Sequence, residues 1–202
     1  MLAVYGAGGF ALQMLDTIEA IRDAGEAVCF VDDGAADEFH GFPVVRPEGV
    51  GDRVRYAVLI AKPSVRRHVA DGLDRFETLT ASGAMVSRNA EVGEGGVFAH
   101  YAVVEADVRI GRHFHCNVYG FVAHECTIGD FVTFGPRVTC NGNVTIGDMA
   151  YIGAGAVIRN GSKEKPLAIG EGAVVGMGAI VTCDVPPGAI VVGTPARSNM
   201  AS

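Results

Sequence analysis

From Val86 onward every sixth residue is apolar or cysteine: Val86, Val92, Phe98, Val104, Ile110, Cys116, Val122, Ile128, Phe134, Cys140, Ile146, Ile152 and Ile158. Two places before these anchors runs a second series of small or apolar residues, among them Ala84, Ala90, Ala102, Val108, Phe114, Cys126, Val132, Val138, Val144 and Ala150. Most anchors are followed by Gly, Ala, Ser or Asn, as at Gly93, Gly111, Asn117, Gly129, Asn141 and Gly147. A period of six fits neither the 3.6-residue helix nor an uninterrupted alternating strand. It predicts a prism in which each hexad makes one short strand and one corner, and three hexads close a coil. The anchors point inward and stack on their counterparts one coil away. The residue after each anchor is expected to turn the corner at positive φ, where Gly and Asn are tolerated. Between Ile158 and Ile169 the spacing exceeds one hexad by five residues, which predicts an extruded loop over 159–168. The repeat resumes at Ile169, Val175 and Val181, and Pro186 and Pro187 are expected to end the ladder and begin a cap.

The first eighty or so residues follow a different pattern. An apolar run LAVY (2–5) precedes GAGGFA, and residues 12–25 then carry helical spacing that ends at Gly25. A second run, AVCFV, ends at Asp32 and Asp33; a third, YAVLIA, leads into a helix beginning at Pro63. Strands alternating with helices predict a parallel sheet that binds its ligand at the strands' carboxyl ends. Gly6, Gly8 and Ala11 fit G-x-G-x-x-A, for which a nicotinamide dinucleotide is a rival ligand. The unit is too short for two mononucleotide-binding halves, which favours a nucleotide diphosphate carrying a sugar. The expected fold is therefore a Rossmann-like βαβ domain over 1–82, followed by a parallel β-helix over 83–202, which is left-handed if it follows the hexapeptide-repeat acyltransferases it resembles.

Composition narrows the function. A formal charge of −7 argues against nucleic acid, whose binding rests on clustered Lys and Arg. Five cysteines with no CxxC pair read as core residues rather than a disulfide framework or a zinc site. The opening MLAVYGAGGF lacks a basic leader, and no apolar run approaches the length of a bilayer span, so the chain is expected to be soluble and cytoplasmic.

One histidine stands out by its place in the repeat. Counting one coil each way from His124 reaches Ala106 and Gly142, so its imidazole would sit between two small residues with room for a ligand. An imidazole accepts a proton at neutral pH, which suits acyl transfer, and Glu125 beside it could hold the ring's tautomer. An unselected His-Glu pair is more often a solvated surface pair; the stacking context argues otherwise here. His40 and His68 read as solvated. His100, His113 and His115 invite a metal reading, but His100 and His124 are one coil plus one hexad apart and fall on different faces. A metal would need a subunit boundary, and none is expected. Lys163 and Lys165 in the extruded loop could meet coenzyme phosphates, although short charged loops are usually just solvated.

A short βαβ unit feeding hexapeptide coils, with HECTIGDF in the middle coils and VVGTPAR near the end, resembles the bacterial sugar acetyltransferases that include bacillosamine N-acetyltransferase and sialic-acid O-acetyltransferase relatives. The resemblance spans essentially the whole chain. It implies transfer of acetyl from acetyl-CoA to the amino group of a nucleotide-linked sugar in surface-glycan biosynthesis, by a homotrimer without a metal. The family's proton acceptor falls on His124, its acidic neighbour on Glu125 and its asparagine on Asn117. Nucleotide-sugar positions fall on Gly8, Gly9, Phe10, Asp32, Asp33 and Ala61, and acetyl-CoA positions on Thr133, Gly142, Ala154 and Met177. Two residues depart from the family pattern: Phe10 and Thr133 each stand where a histidine is usual. Alternative readings are a sugar O-acetyltransferase using the same residues, a non-catalytic nucleotide-sugar-binding solenoid and a metal-dependent solenoid lyase.

Overall fold

The computed structural model describes residues 1–34, 37–51 and 53–198. The first apolar run becomes β1 (Leu2–Tyr5) and the second β2 (Val28–Val31), whose four side chains are all buried. The helical stretch between them splits at Met14, which is buried and outside helical geometry, into α1 (Gly9–Gln13) and α2 (Leu15–Asp23). Two strands absent from the sequence reading follow: β3 (Glu38–Phe39) and β4 (Phe42–Val45). They form a hairpin about His40 and Gly41, both at positive φ as a tight turn demands, and β4 then pairs parallel with β2. Pro43 hid this strand; it faces only the edge strand β3, where a missing donor costs little. The third run supplies β5 (Arg55–Val58), followed by α3 (Pro63–Ala70), whose first-turn proline needs no N–H. The sheet order is β3-β4-β2-β1-β5, parallel except for the β3–β4 hairpin.

Beyond it the hexads build a parallel β-helix with three faces. Face one carries Val97–Phe98, His115–Cys116, Thr133–Phe134 and Tyr151–Ile152; face two carries Val103–Val104, Phe121–Val122, Thr139–Cys140 and Val157–Ile158. Face three carries Arg109–Ile110, Thr127–Ile128, Val144–Ile146 and Leu167–Ile169. Val104, Ile110, Val122, Ile128, Ile146 and Ile152 all point into the prism and are buried. Four of the five cysteines are buried too, and all five are free thiols.

The corners differ from the expected geometry. From Phe98 to Ile146, positive φ falls three residues after each anchor, at Tyr101, Asp107, His113, Tyr119, Glu125, Phe131, Arg137, Asn143 and Met149, not on the residue immediately after it. These strained positions are held by N–H bonds to the coil below, such as Phe131 N to Arg112 O at 2.8 Å. Glycine after the anchor answers to a different constraint, the spacing between coils. A Cβ on Gly147 would lie 2.6 Å from the Glu171 backbone nitrogen, and one on Gly93 would lie 2.7 Å from the Gly111 carbonyl carbon. The tail departs as well: Pro186 and Pro187 occupy a corner, and Ile190–Val192 resumes parallel pairing with Val174–Val175. Arg197–Ser198 then pairs antiparallel and closes the sheet.

The α/β unit lies across face one. Leu79–Thr80 pairs with Val97–Phe98, and Leu79, Ala81, Val97 and Ala99 share a core with Leu2, Val4, Phe30 and Phe42. Among the described residues no helix is long and apolar enough to cross a membrane.

Candidate active site

His124 and Glu125 sit on the edge between faces two and three, where the left-handed backbone at Glu125 turns its carboxylate back toward the imidazole. His124 Nδ1 lies 3.1 Å from Glu125 Oε2. A carboxylate only accepts, so Nδ1 carries the proton and Nε2 is left as the acceptor. The His124 side chain is 56% exposed, so Nε2 is open to a substrate. Its ring rests on the coil above: a Cβ on Gly142 would lie 2.8 Å from Cε1 and 2.9 Å from Nε2. Only glycine leaves this room. The His124 backbone N–H donates to Glu105 Oε2 at 3.0 Å, which anchors the corner from the preceding coil.

The extruded loop folds back onto this edge. Gly161 N donates to Gly142 O at 3.0 Å, and Lys163 Nζ lies 3.1 Å from Glu125 Oε1. Lys163 thus reaches the carboxylate beside His124. Its ammonium, then the bond to His124, holds the Glu125 carboxyl below the usual carboxylate range. A groove of about 440 Å³ opens beside the pair, lined by Asn89, Asp107, Glu125, Asn143 and Lys163 among others.

The other candidate residues fall elsewhere. Asn117 occupies the edge between faces one and two, where its Oδ1 accepts from Val118 N at 2.7 Å. Ala154 and Met177 stack on that same edge in successive coils, with Gly178 N donating to Ala154 O at 2.9 Å and Met177 largely exposed. Within one chain, then, Asn117, Ala154 and Met177 share one edge while His124, Glu125 and Gly142 share another. Thr133 is on face one, buried, its hydroxyl donating to Ala61 O at 2.9 Å and accepting from Arg66 Nη2 at 2.9 Å.

At the carboxyl ends of the sheet lies a second cavity of about 460 Å³, lined by Tyr5, Gly6, Asp32, Asp33 and, from α3, Val65, His68 and Val69. Asp32 Oδ2 accepts from Ala7 N at 3.1 Å, which shapes the first turn around it. Gly6 is at positive φ, and a Cβ there would press on Leu59 O at 3.1 Å. Gly8 and Gly9 have open space around them. Phe10 is half-buried and lies 4.9 Å, ring to ring, from buried His115. Both departures from the family pattern, Phe10 and Thr133, therefore meet the same cluster beneath α3.

The remaining histidines divide by burial. His113 and His115 are buried; desolvation lowers the His113 pKa to about 4 and that of His115 well below the imidazole range, so both are neutral. His113 stacks on Phe131 at 4.8 Å. Among the described residues no group of three or more His, Cys, Asp or Glu could hold a metal ion. Sequence reasoning read His68 as solvated, and it is exposed although it lines the second cavity; it found neither the ion pair of Lys163 nor Arg66. Spacing along the chain carried no signal for the last two, since their partners lie 38 and 65 or so residues away.

The family model for the PglD N-terminal domain matches residues 1–73. GDP-perosamine N-acetyltransferase from Escherichia coli O157:H7 is 37% identical over 98% of this chain and 95% of its own length. Among solved structures, WeeI from Acinetobacter baumannii AYE superposes with a TM-score of 0.93 at 37% identity, covering 98% of this chain and 99% of its own. A mutant of perosamine N-acetyltransferase from Caulobacter crescentus, in complex with CoA and GDP-perosamine, gives a TM-score of 0.86 at 27% identity, covering 99% and 97%.

Proposed function

The chain belongs to the hexapeptide-repeat sugar N-acetyltransferases, and from that premise we propose that it acetylates the amino group of a nucleotide-linked amino sugar, using acetyl-CoA. The observation that carries the reading is the seating of His124: proton on Nδ1 toward Glu125, free Nε2, and ring packed on Gly142. In this mechanism the acceptor nitrogen attacks the thioester carbonyl and gives its proton to His124 Nε2. The C–N bond forms, the C–S bond breaks, and the proton passes to the departing thiolate. The Gly142 N–H supports the developing oxyanion. No covalent enzyme intermediate is needed. Residues 1–82 hold the nucleotide-sugar, with Asp32, Asp33 and the first turn around the diphosphate and base, and Ala61 at the strand end. Residues 83–202, of which 199–202 lie outside the described residues, hold acetyl-CoA through Gly142, Ala154 and Met177. Thr133 fits a coenzyme contact less well, because its hydroxyl is already engaged beneath α3.

The active unit in this reading is a homotrimer. The nucleotide cavity rides on face one, whereas His124 lies on the opposite edge of the same prism, so one chain alone keeps its acceptor and its base apart. A neighbouring protomer supplies the missing edge. Exposed Tyr101 and Tyr119, stacked 5.2 Å apart on the edge shared by Asn117 and Met177, suit such a contact. Acetyl-CoA and nucleotide sugars are both made in the cytoplasm, and we place the reaction there.

A test is thiol release from acetyl-CoA against a panel of nucleotide-linked amino sugars and their hydroxyl analogues. GDP-perosamine comes first, since it is bound by the Caulobacter relative. Turnover confined to amine acceptors is expected; turnover of the hydroxyl analogues alone would make the enzyme an O-acetyltransferase, and none at all would reject the reading.

A further inference from the structure

Beneath α3 lies an arginine with no exposure and no carboxylate partner among the described residues. Arg66 Nη1 donates to Ile60 O at 2.7 Å, to Ala61 O at 3.1 Å and to His115 Nδ1 at 3.2 Å. Its Nη2 donates to Phe131 O at 2.7 Å and Thr133 Oγ1 at 2.9 Å. The Thr133 hydroxyl donates to Ala61 O, and Phe10 packs on His115. A guanidinium buried without a counter-charge is costly, and an apolar side chain of similar size usually packs such an interface as well or better. Arg66 therefore does something that packing alone does not.

The placement says what. Arg66 is on the helix whose other residues, Val65, His68 and Val69, form a wall of the nucleotide cavity, and Ile60 at the strand end lines the same cavity. Its two bonding directions tie that wall and that strand end to one β-helix coil, at Phe131 and Thr133. Phe10, in the first turn, packs on His115 of the adjacent coil, which accepts from Arg66 in turn. Three elements around the cavity thus meet two neighbouring coils of the prism through one guanidinium.

We propose that Arg66 is a positioning residue for the acceptor substrate, fixing the walls of the nucleotide cavity on the β-helix so that the acceptor amine arrives where a base can reach it. The proposal rests on the nucleotide-sugar reading above. It touches neither acetyl-CoA nor the reacting atoms, so its loss should separate the two substrates. In the full-length chain, Arg66→Met is expected to raise the KM for a GDP-linked amino sugar on the order of ten- to a hundredfold, as misplacement of about 1 Å does elsewhere. The KM for acetyl-CoA should stay within about twofold. Arg66→Lys keeps the charge but reaches fewer acceptors, and should recover part of the loss. A purely structural role would raise both KM values together or neither; either pattern in folded Arg66→Lys protein overturns the proposal, which keeps it testable if Arg66→Met does not fold. Amide hydrogen exchange separates this outcome from failure of the function itself. Should wild type turn over no nucleotide sugar, faster exchange in Arg66→Lys confined to residues 6–12 and 59–72, with residues 120–158 unchanged, would still support the pinning, and unchanged exchange throughout would overturn it.

Discussion

Adding one methyl group to Gly142 should disable the enzyme while leaving it folded. Gly142 is not at positive φ, so Gly142→Ala brings no backbone strain; the new carbon meets His124 Cε1 at 2.8 Å, Nε2 at 2.9 Å and Nδ1 at 3.2 Å. Ordinary carbon contacts need roughly 3.5–4.0 Å, so the ring must recede by about 1 Å. Its outer face is open, and it can swing toward solvent at a stability cost below about 1 kcal/mol. The swing breaks the 3.1 Å bond to Glu125 that fixes the tautomer. A displacement of this size costs on the order of 10²-fold in turnover, or about 2.7 kcal/mol in the barrier. The assay is initial-rate thiol release at saturating substrates, with thermal melting and acetyl-CoA affinity measured alongside. Because the effect runs through His124, Gly142→Ala added to His124→Ala should cost almost nothing more. Wild-type turnover by Gly142→Ala, or an equal further loss in the double variant, would show that the imidazole does not work from this seat.

His124→Ala itself should keep its fold and acetyl-CoA affinity and lose roughly 10²–10⁴ in turnover, and Glu125→Ala should lose less, since it only orients the ring; equal losses in both would make the pair a single unit. Acid should weaken the packing of the α/β unit on the prism: His113 is neutral when folded with a pKa of about 4 against 6.5 unfolded, so protonation favours the unfolded chain. That contribution is whole above pH 6.5 and drains away toward pH 4, at most on the order of 3 kcal/mol, and buried His115 adds in the same direction. Denaturant melts at pH 7 and pH 5 should show the fall, smaller in His113→Leu, and a flat profile would contradict it. Co-assembling inactive His124→Ala chains with inactive Asp32→Ala chains at equal amounts should restore about one quarter of wild-type activity if each site draws on two protomers, and none if each chain serves itself.

Much of this protein was legible in one dimension. A hexad repeat writes the prism directly into the chain, because each coil buries only its own anchors against the next, and the inward residues follow by counting. His124 was legible for the same reason: its neighbours above and below are one period away, so Gly142 could be named before any coordinates. Where the repeat left freedom, counting misled. The corner residue at positive φ stands three places from the anchor, and where a glycine follows the anchor it is demanded by the backbone of the adjacent coil rather than by its own dihedral. The β3–β4 hairpin was masked by a proline that proved harmless on an edge. Contacts between distant segments were beyond reach altogether. Arg66 meets Phe131 and Thr133, and Lys163 meets Glu125, only because one domain lies across face one and one loop folds back along an edge. The sequence by itself determined the repeat, the inward anchors and the histidine between small residues, all of them local periodicities. Only the tertiary structure decided which edge each candidate residue occupies and which buried charge holds the two domains in register, because those depend on how separate units pack.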